Sequence, residues 1–188
     1  MADVETHISE RSQENFVDKN NVYILGPFDR SISSHVIPKI VSLIPILSKE
    51  KSPQLNIYIN SCGGYACELF ALMAVIEMAK SNNIKIVTYN LGMAYSCGSL
   101  LAVMGDYRYM YKYATNLAHL GSSGIYAETF EQLSRSTEHI NEHFNMIVSI
   151  YRKHVKCTEK KLKDILRDDM CFMNAETCLA LGFCDEII

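Results

Sequence analysis

The stretch Ile84-Lys85-Ile86-Val87-Thr88-Tyr89-Asn90-Leu91-Gly92-Met93-Ala94-Tyr95-Ser96-Cys97-Gly98-Ser99-Leu100-Leu101-Ala102-Val103-Met104 changes character around one serine. Ile84 to Tyr89 is β-branched and aromatic, the composition of a strand, whereas Ser99 to Met104 is an apolar helical run. Between them Gly92 to Gly98 reads as a turn of small residues with Ser96 at its apex. A strand-to-helix turn presents a serine hydroxyl beside the first N–H groups of the helix, which have no intrahelical acceptor and carry the positive end of its dipole. Donors so placed suit a reaction that develops an oxyanion.

A second turn of the same kind, Asn60-Ser61-Cys62-Gly63-Gly64, follows the strand Leu55-Asn56-Ile57-Tyr58-Ile59 and opens an apolar helix from about Glu68 to Lys80. Two strand–glycine–helix units direct backbone donors to the same end of a sheet. The alternation continues on both sides. A strand over Val22–Leu25 leads to a helix over Ser34–Leu47, and strands around Tyr107–Tyr111 and Thr115–His119 follow the serine helix. This pattern predicts an α/β fold with a largely parallel core. From Ala127 to about Val155 apolar residues recur at helical spacing, including Phe130, Leu133, Ile140, Phe144 and Ile147. That helix is too long to cover one face of so small a domain, and its surplus apolar surface points to a partner. Residues 1–20 are polar and read as a mobile arm, leaving 21–188 as a single domain.

An activated serine needs a base, and the base needs a group that orients it. His119 closes the apolar run Ala114 to Ala118 and precedes Leu120-Gly121-Ser122-Ser123-Gly124, so it emerges at a strand end. His139, His143 and His154 fall in the helical pattern among charged neighbours, and the pair His139 and His143 reads as a solvated helix face sooner than as a metal chelate. For the acid, Asp168 and Asp169 precede Met170-Cys171-Phe172-Met173-Asn174-Ala175. Each feature alone has a plainer reading. Ser96 also suits a helix cap, Gly63-Gly64 an ordinary turn, and Asp168-Asp169 a solvated pair.

Taken in order, these residues resemble the proteolytic subunit of the Clp protease, an ATP-dependent serine peptidase. The landmarks are Tyr23-Ile24-Leu25-Gly26, Ile57 to Gly64, the Ser96 turn, His119, and Phe172-Met173-Asn174-Ala175-Glu176 running to Gly182-Phe183-Cys184-Asp185-Glu186-Ile187. The resemblance spans about Val22 to the C-terminus. It implies a crotonase-like fold with a protruding handle over about 121–160, Ser96 as nucleophile, His119 as general base, and oxyanion-hole N–H groups on Gly64 and Cys97. Aligning back from Phe172 without a gap places Met170 at the acid position; a one-residue insertion restores Asp169, the favoured acid, and a two-residue one Asp168. Cys62 stands where the family usually has proline, Leu120-Gly121 where it has Gln-Pro, and the interval from Ser96 to His119 is about two residues short, which a tight turn near Gly105-Asp106 could absorb. The resemblance further implies two stacked seven-membered rings, uniform or mixed, that enclose the active sites, with unfolded polypeptides delivered by an AAA+ ATPase.

The rest of the sequence bounds the function. Net charge of −3 with mixed signs gives no basic footprint for nucleic acid. No apolar run approaches the roughly 20 residues of a membrane span, and the start Met1-Ala2-Asp3-Val4-Glu5 is no signal peptide, so a cytoplasmic protein is expected. Seven cysteines without a CxxC pair read as reduced thiols, and no metal site or cofactor is expected. There is no G-x-x-x-x-G-K-S/T, so ATP use would belong to a partner. Two other classes fit the fold: a non-catalytic ring subunit, and a crotonase-like enzyme on acyl thioesters. The second expects a carboxylate near Gly92 to Gly98, and none is there.

Overall fold

Every second residue of Gln54–Ser61, namely Leu55, Ile57, Ile59 and Ser61, is buried. This two-residue period gives the central sheet one helix-covered face and one partly open face. The computed structural model describes residues 14–121, 127–168 and 170–188. Its strands are β1 (Asn15–Asp18), β2 (Asn21–Ile24), β3 (Gln54–Ser61), β4 (Lys85–Tyr95), β5 (Tyr107–Met110), β6 (Thr115–Leu117), β7 (Phe172–Asn174) and β8 (Glu186–Ile187). Its helices are α1 (Ile37–Leu47), α2 (Ala66–Ser81), α3 (Cys97–Val103), α4 (Phe130–His154), α5 (Glu159–Arg167) and α6 (Ala175–Leu181), with a π-helical turn over Ile32–Val36 leading into α1. The sheet runs β1-β2-β3-β4-β5-β8, parallel from β2 to β8 with an antiparallel β1 at one edge. β6 pairs parallel with the far end of β4, and β7 antiparallel with β6. This is the α/β architecture of repeated strand–helix units that the sequence implies.

Two segments differ from expectation. Residues 15–18, expected within the polar arm, form β1. Asn15 is buried, its amide donating to the Pro27 carbonyl and Ser31 Oγ, both at 2.9 Å, and its Oδ1 accepting from the Gly26 N–H. A polar residue there is a set of satisfied hydrogen bonds rather than a sign of solvent. The turn expected over Gly92–Gly98 shrinks to one residue, because β4 continues to Tyr95. Met93, Ala94 and Tyr95 find partners in β6, and the Met93 N–H donates to Asn60 Oδ1 at 3.1 Å.

On the helix side, Phe28, Ile32, Ile57, Leu72, Ile76 and Leu101 lie in one buried cluster. On the other side Phe16, Tyr23, Tyr58, Tyr89 and Tyr109 stand directly opposite one another on five successive strands. Their rings stack at 4.6, 5.1, 4.7 and 5.0 Å. Each such pair contributes about 0.5–1.5 kcal/mol beyond its buried area and fixes strand register.

A buried guanidinium ties the C-terminus to the sheet. Arg108, 6% exposed, donates Nε and one Nη to the two Asp185 carboxylate oxygens at 2.9 and 2.7 Å, and its other Nη to the His154 and Gly182 carbonyls. These bonds hold the Asp185 carboxyl below the usual carboxylate range. Arg108→Leu takes the guanidinium from that carboxylate, which keeps only the backbone N–H of residue 108 at 3.1 Å, and from two carbonyls, and a loss of about 3 kcal/mol in urea unfolding is expected.

His154, at the end of α4, is pushed below the ordinary histidine range by burial and by the Lys80 and Arg108 charges. The unfolded chain therefore binds the extra proton first as pH falls. Stability should decline as pH drops through about 6.5, and His154→Gln should flatten that limb of the stability-against-pH curve.

Candidate active site

β4 ends at Tyr95 and α3 begins at Cys97, so Ser96 alone turns the chain. It does so at φ +55° and ψ −116°, a conformation that side chains rarely adopt and that persists only where neighbours impose it. The Ser96 N–H donates to the Leu117 carbonyl at 2.8 Å, and the Ser96 carbonyl accepts the first bond of α3 from the Leu100 N–H at 3.1 Å. The hydroxyl makes no cap hydrogen bond, so the plainer reading of this serine as a helix cap does not describe it. A strained strand-to-helix turn of this shape exposes its hydroxyl at the head of the helix.

The glycine turn is built against that serine. At Gly63, φ +99°, a Cβ would lie 2.7 Å from the Ser96 Cβ; at Gly64, φ +149°, it would lie 2.4 Å from the Phe28 carbonyl oxygen. Phe28 brackets the pair, donating its N–H to the Gly63 carbonyl and accepting from the Tyr65 N–H, both at 2.8 Å. Ser61, fully buried, donates to the Gly26 carbonyl at 2.7 Å and accepts from the Gly63 N–H at 3.2 Å. These bonds fix the turn on either side of Cys62. Among the described residues no backbone carbonyl takes the Gly64 N–H. The Cys97 N–H is the first of α3 and has no acceptor within the helix.

Cys97 is buried and its thiol donates to the Gly64 carbonyl at 3.3 Å. Burial pushes the thiol above its ordinary range, so thiolate is scarce at neutral pH.

A cavity of about 290 Å³ brings Ser96, Cys97, Gly64 and His119 together. Part of its wall comes from α4. Ile140, His143, Phe144 and Ile147 of α4 close it, facing Leu69 and Phe70 of α2. The apolar stripe that the sequence reading reserved for a partner therefore serves this chain's own site in its C-terminal half. His143, expected on a solvated face, is half-buried and turns edge-on to Phe70 at 5.7 Å, with the His139 ring 4.4 Å away. No group of three metal-ligating side chains occurs among the described residues.

His119 lies two residues beyond β6. Beside it the Leu120 N–H donates to the Leu166 carbonyl at 3.0 Å, and Phe172 of β7 pairs with Leu117. The end of α5 and the start of β7 are thus held on either side of His119. Asp168, in that connection, accepts from the Met170 N–H at 2.9 Å. Met170, at the ungapped acid position, is exposed and has no carboxyl. Asp169 lies outside the described residues. Between Ser96 and His119 the chain passes from α3 to β5 through a tight turn at Gly105-Asp106. There Asp106 and Ile86 exchange hydrogen bonds at 2.7 and 2.8 Å, and a Cβ on Gly105 would lie 2.6 Å from Thr88 Oγ1.

The family model for Clp protease matches residues 5–188. The chain belongs to the Clp protease family. The match begins well before Val22, where the motifs of the sequence first mark it. The chain is 27% identical over 174 residues to the ATP-dependent Clp protease proteolytic subunit of Deinococcus radiodurans, covering 90% of this chain and 81% of that protein. It is 27% identical over 155 residues to the ATP-dependent Clp protease proteolytic subunit 2 of Chlamydia trachomatis serovar D, covering 79% and 72%. The mixed sheet with six helices is this family's crotonase-like fold. Among the described residues no helix is long and apolar enough to cross a membrane.

The glycine turn of this Clp family member should differ from Gly121, another of its positive-φ glycines, in what alanine does. Gly121 has φ +83° but open space around it, so Gly121→Ala should cost about 1–2 kcal/mol of backbone strain. Gly64→Ala adds a backbone collision and should cost about 3 kcal/mol or more. Urea unfolding of the two variants checks the difference.

Proposed function

We propose that the chain is a serine endopeptidase subunit of a self-compartmentalised protease acting on unfolded polypeptides. The observation that carries this reading is Ser96, held at positive φ with its hydroxyl free of any cap, in one cavity with His119 and two backbone donors, Gly64 and Cys97. His119 takes the Ser96 proton as Oγ attacks a peptide carbonyl. The Gly64 and Cys97 N–H groups stabilise the oxyanion, and His119 returns the proton to the departing amine, leaving an acyl-enzyme that water hydrolyses. Asp169 orients His119. Two facts support this acid: the elements on either side of it in sequence, α5 and β7, are held beside His119, and the neighbouring Asp168 carboxylate already holds the Met170 N–H. Acyl transfer of this kind calls for no metal or cofactor from this chain.

The exposed part of α4, with Phe130 86%, Leu133 44% and Met146 46% accessible, supports burial against further copies of the chain in two stacked heptameric rings or a mixed ring. With no phosphate-binding loop of its own, the chain takes substrate in the cytoplasm from an AAA+ unfoldase that uses the ATP.

Mass spectrometry of the intact, assembled protein after incubation with a fluorophosphonate tests the chemistry. One adduct per chain is expected, lost in Ser96→Ala, with peptide hydrolysis falling at least about a thousandfold in Ser96→Ala and in Asp169→Ala but not in Asp168→Ala. No adduct on the wild type would replace this reading with a non-catalytic ring subunit.

A further inference from the structure

Behind Ser96 lies a chain of polar side chains inside the hydrophobic core. Tyr151 Oη donates to Ser99 Oγ at 2.9 Å, and Ser99 Oγ donates to Asn116 Oδ1 at 2.8 Å. The three residues are 0%, 0% and 2% exposed. Polar groups at such depth are tolerated when bonded to one another, and a bonded chain fixes distances and angles that apolar packing leaves adjustable.

Where the three residues sit decides what they can do. Ser99 is in the first turn of α3, three residues after Ser96. Asn116 is the middle residue of β6, three before His119, and adjoins Leu117, whose carbonyl holds the Ser96 N–H. Tyr151 is on α4, one turn beyond Ile147 in the cavity wall. The nucleophile's helix, the base's strand and the wall of the cavity are therefore pinned to one another by two hydrogen bonds. Burial raises the Tyr151 hydroxyl well above its ordinary range, so it remains a donor throughout the pH range in which a peptidase works.

We infer that Tyr151 and Ser99 are positioning residues: the chain from Tyr151 through Ser99 to Asn116 sets the approach of Ser96 to His119 and seats α4 against both. This rests on the reading of Ser96 as nucleophile. Neither residue touches the reacting atoms. Removing the Tyr151 hydroxyl leaves the ring's packing, including its contact with Phe183 at 5.7 Å, but releases α4 from α3. A displacement well under 1 Å between nucleophile and base is enough to slow acylation.

The test compares wild type, Tyr151→Phe, Ser99→Ala and the double variant as assembled protein. Two quantities are measured: the rate of Ser96 acylation by a fluorophosphonate, and kcat and KM for a short peptide. Acylation and kcat about tenfold slower in each single variant, with KM changed less than about twofold, are expected. The double variant should be no slower than Ser99→Ala, since both act through one chain of bonds. Should Tyr151→Phe fail to assemble, Ser99→Ala carries the same comparison. Unchanged acylation and kcat alongside a lower melting temperature would overturn the inference and leave the bonds purely structural. A wild type that takes no label overturns the serine reading and the positioning role with it, an outcome distinct from equal labelling of wild type and variants.

Discussion

β4 pairs with β3 along its length and with β5 over its first half, and then it exchanges β5 for β6. The exchange depends on an irregularity between Ile59 and Ser61: Ile59 faces Asn90, but Ser61 faces Ala94, so β4 carries two more residues than β3 across that interval. Extra residues in one strand bend it and increase its twist. Asn60 fills the gap by accepting the Met93 N–H, and Gly92 leaves space for it, since a Cβ there would lie 2.8 Å from Asn60 Oδ1. Beyond the bend β4 meets Thr115 to Leu117, the strand that leads to His119. The juxtaposition of Ser96 and His119 in one cavity follows from that change of partner.

Strain at Ser96 is the second constraint, and it is met from several directions at once. The Leu117 carbonyl fixes the N–H side of the residue, Leu100 the carbonyl side, and the close approach of Gly63 leaves no room for the turn to relax toward ordinary φ. Conformations of this kind cost about 1–3 kcal/mol and survive where the surroundings over-determine them. The same contacts hold Gly64 and Cys97 beside the serine in one cavity.

Two turns of the site are held by local hydrogen bonds. With Cys62 in place of proline, the glycine turn is held by the buried Ser61 hydroxyl between the Gly26 carbonyl and the Gly63 N–H. After the histidine, the Leu120 N–H goes to the Leu166 carbonyl, which holds the end of α5 beside the site.

Much of this protein was legible in the sequence, because its signals are local. β-branched runs, glycines with positive φ and the order Ser96, His119, Asp168-Asp169 each report on a few neighbouring residues, and together they specify an α/β fold with a serine at a strand–helix junction. Other features depend on residues distant in the chain. That Asn15 is buried in an edge strand, that Gly92 to Tyr95 is strand rather than turn, that α4 walls the cavity, and that Tyr151, Ser99 and Asn116 join in the core are decided by which elements pack together. Sequence by itself determined which residue types stand at the turns, since backbone conformation and the absence of a Cβ are properties of single residues. Only the tertiary structure decided which of them share a cavity, because hydrogen bonds such as Met93 to Asn60 and Tyr151 to Ser99 join residues 33 and 52 positions apart.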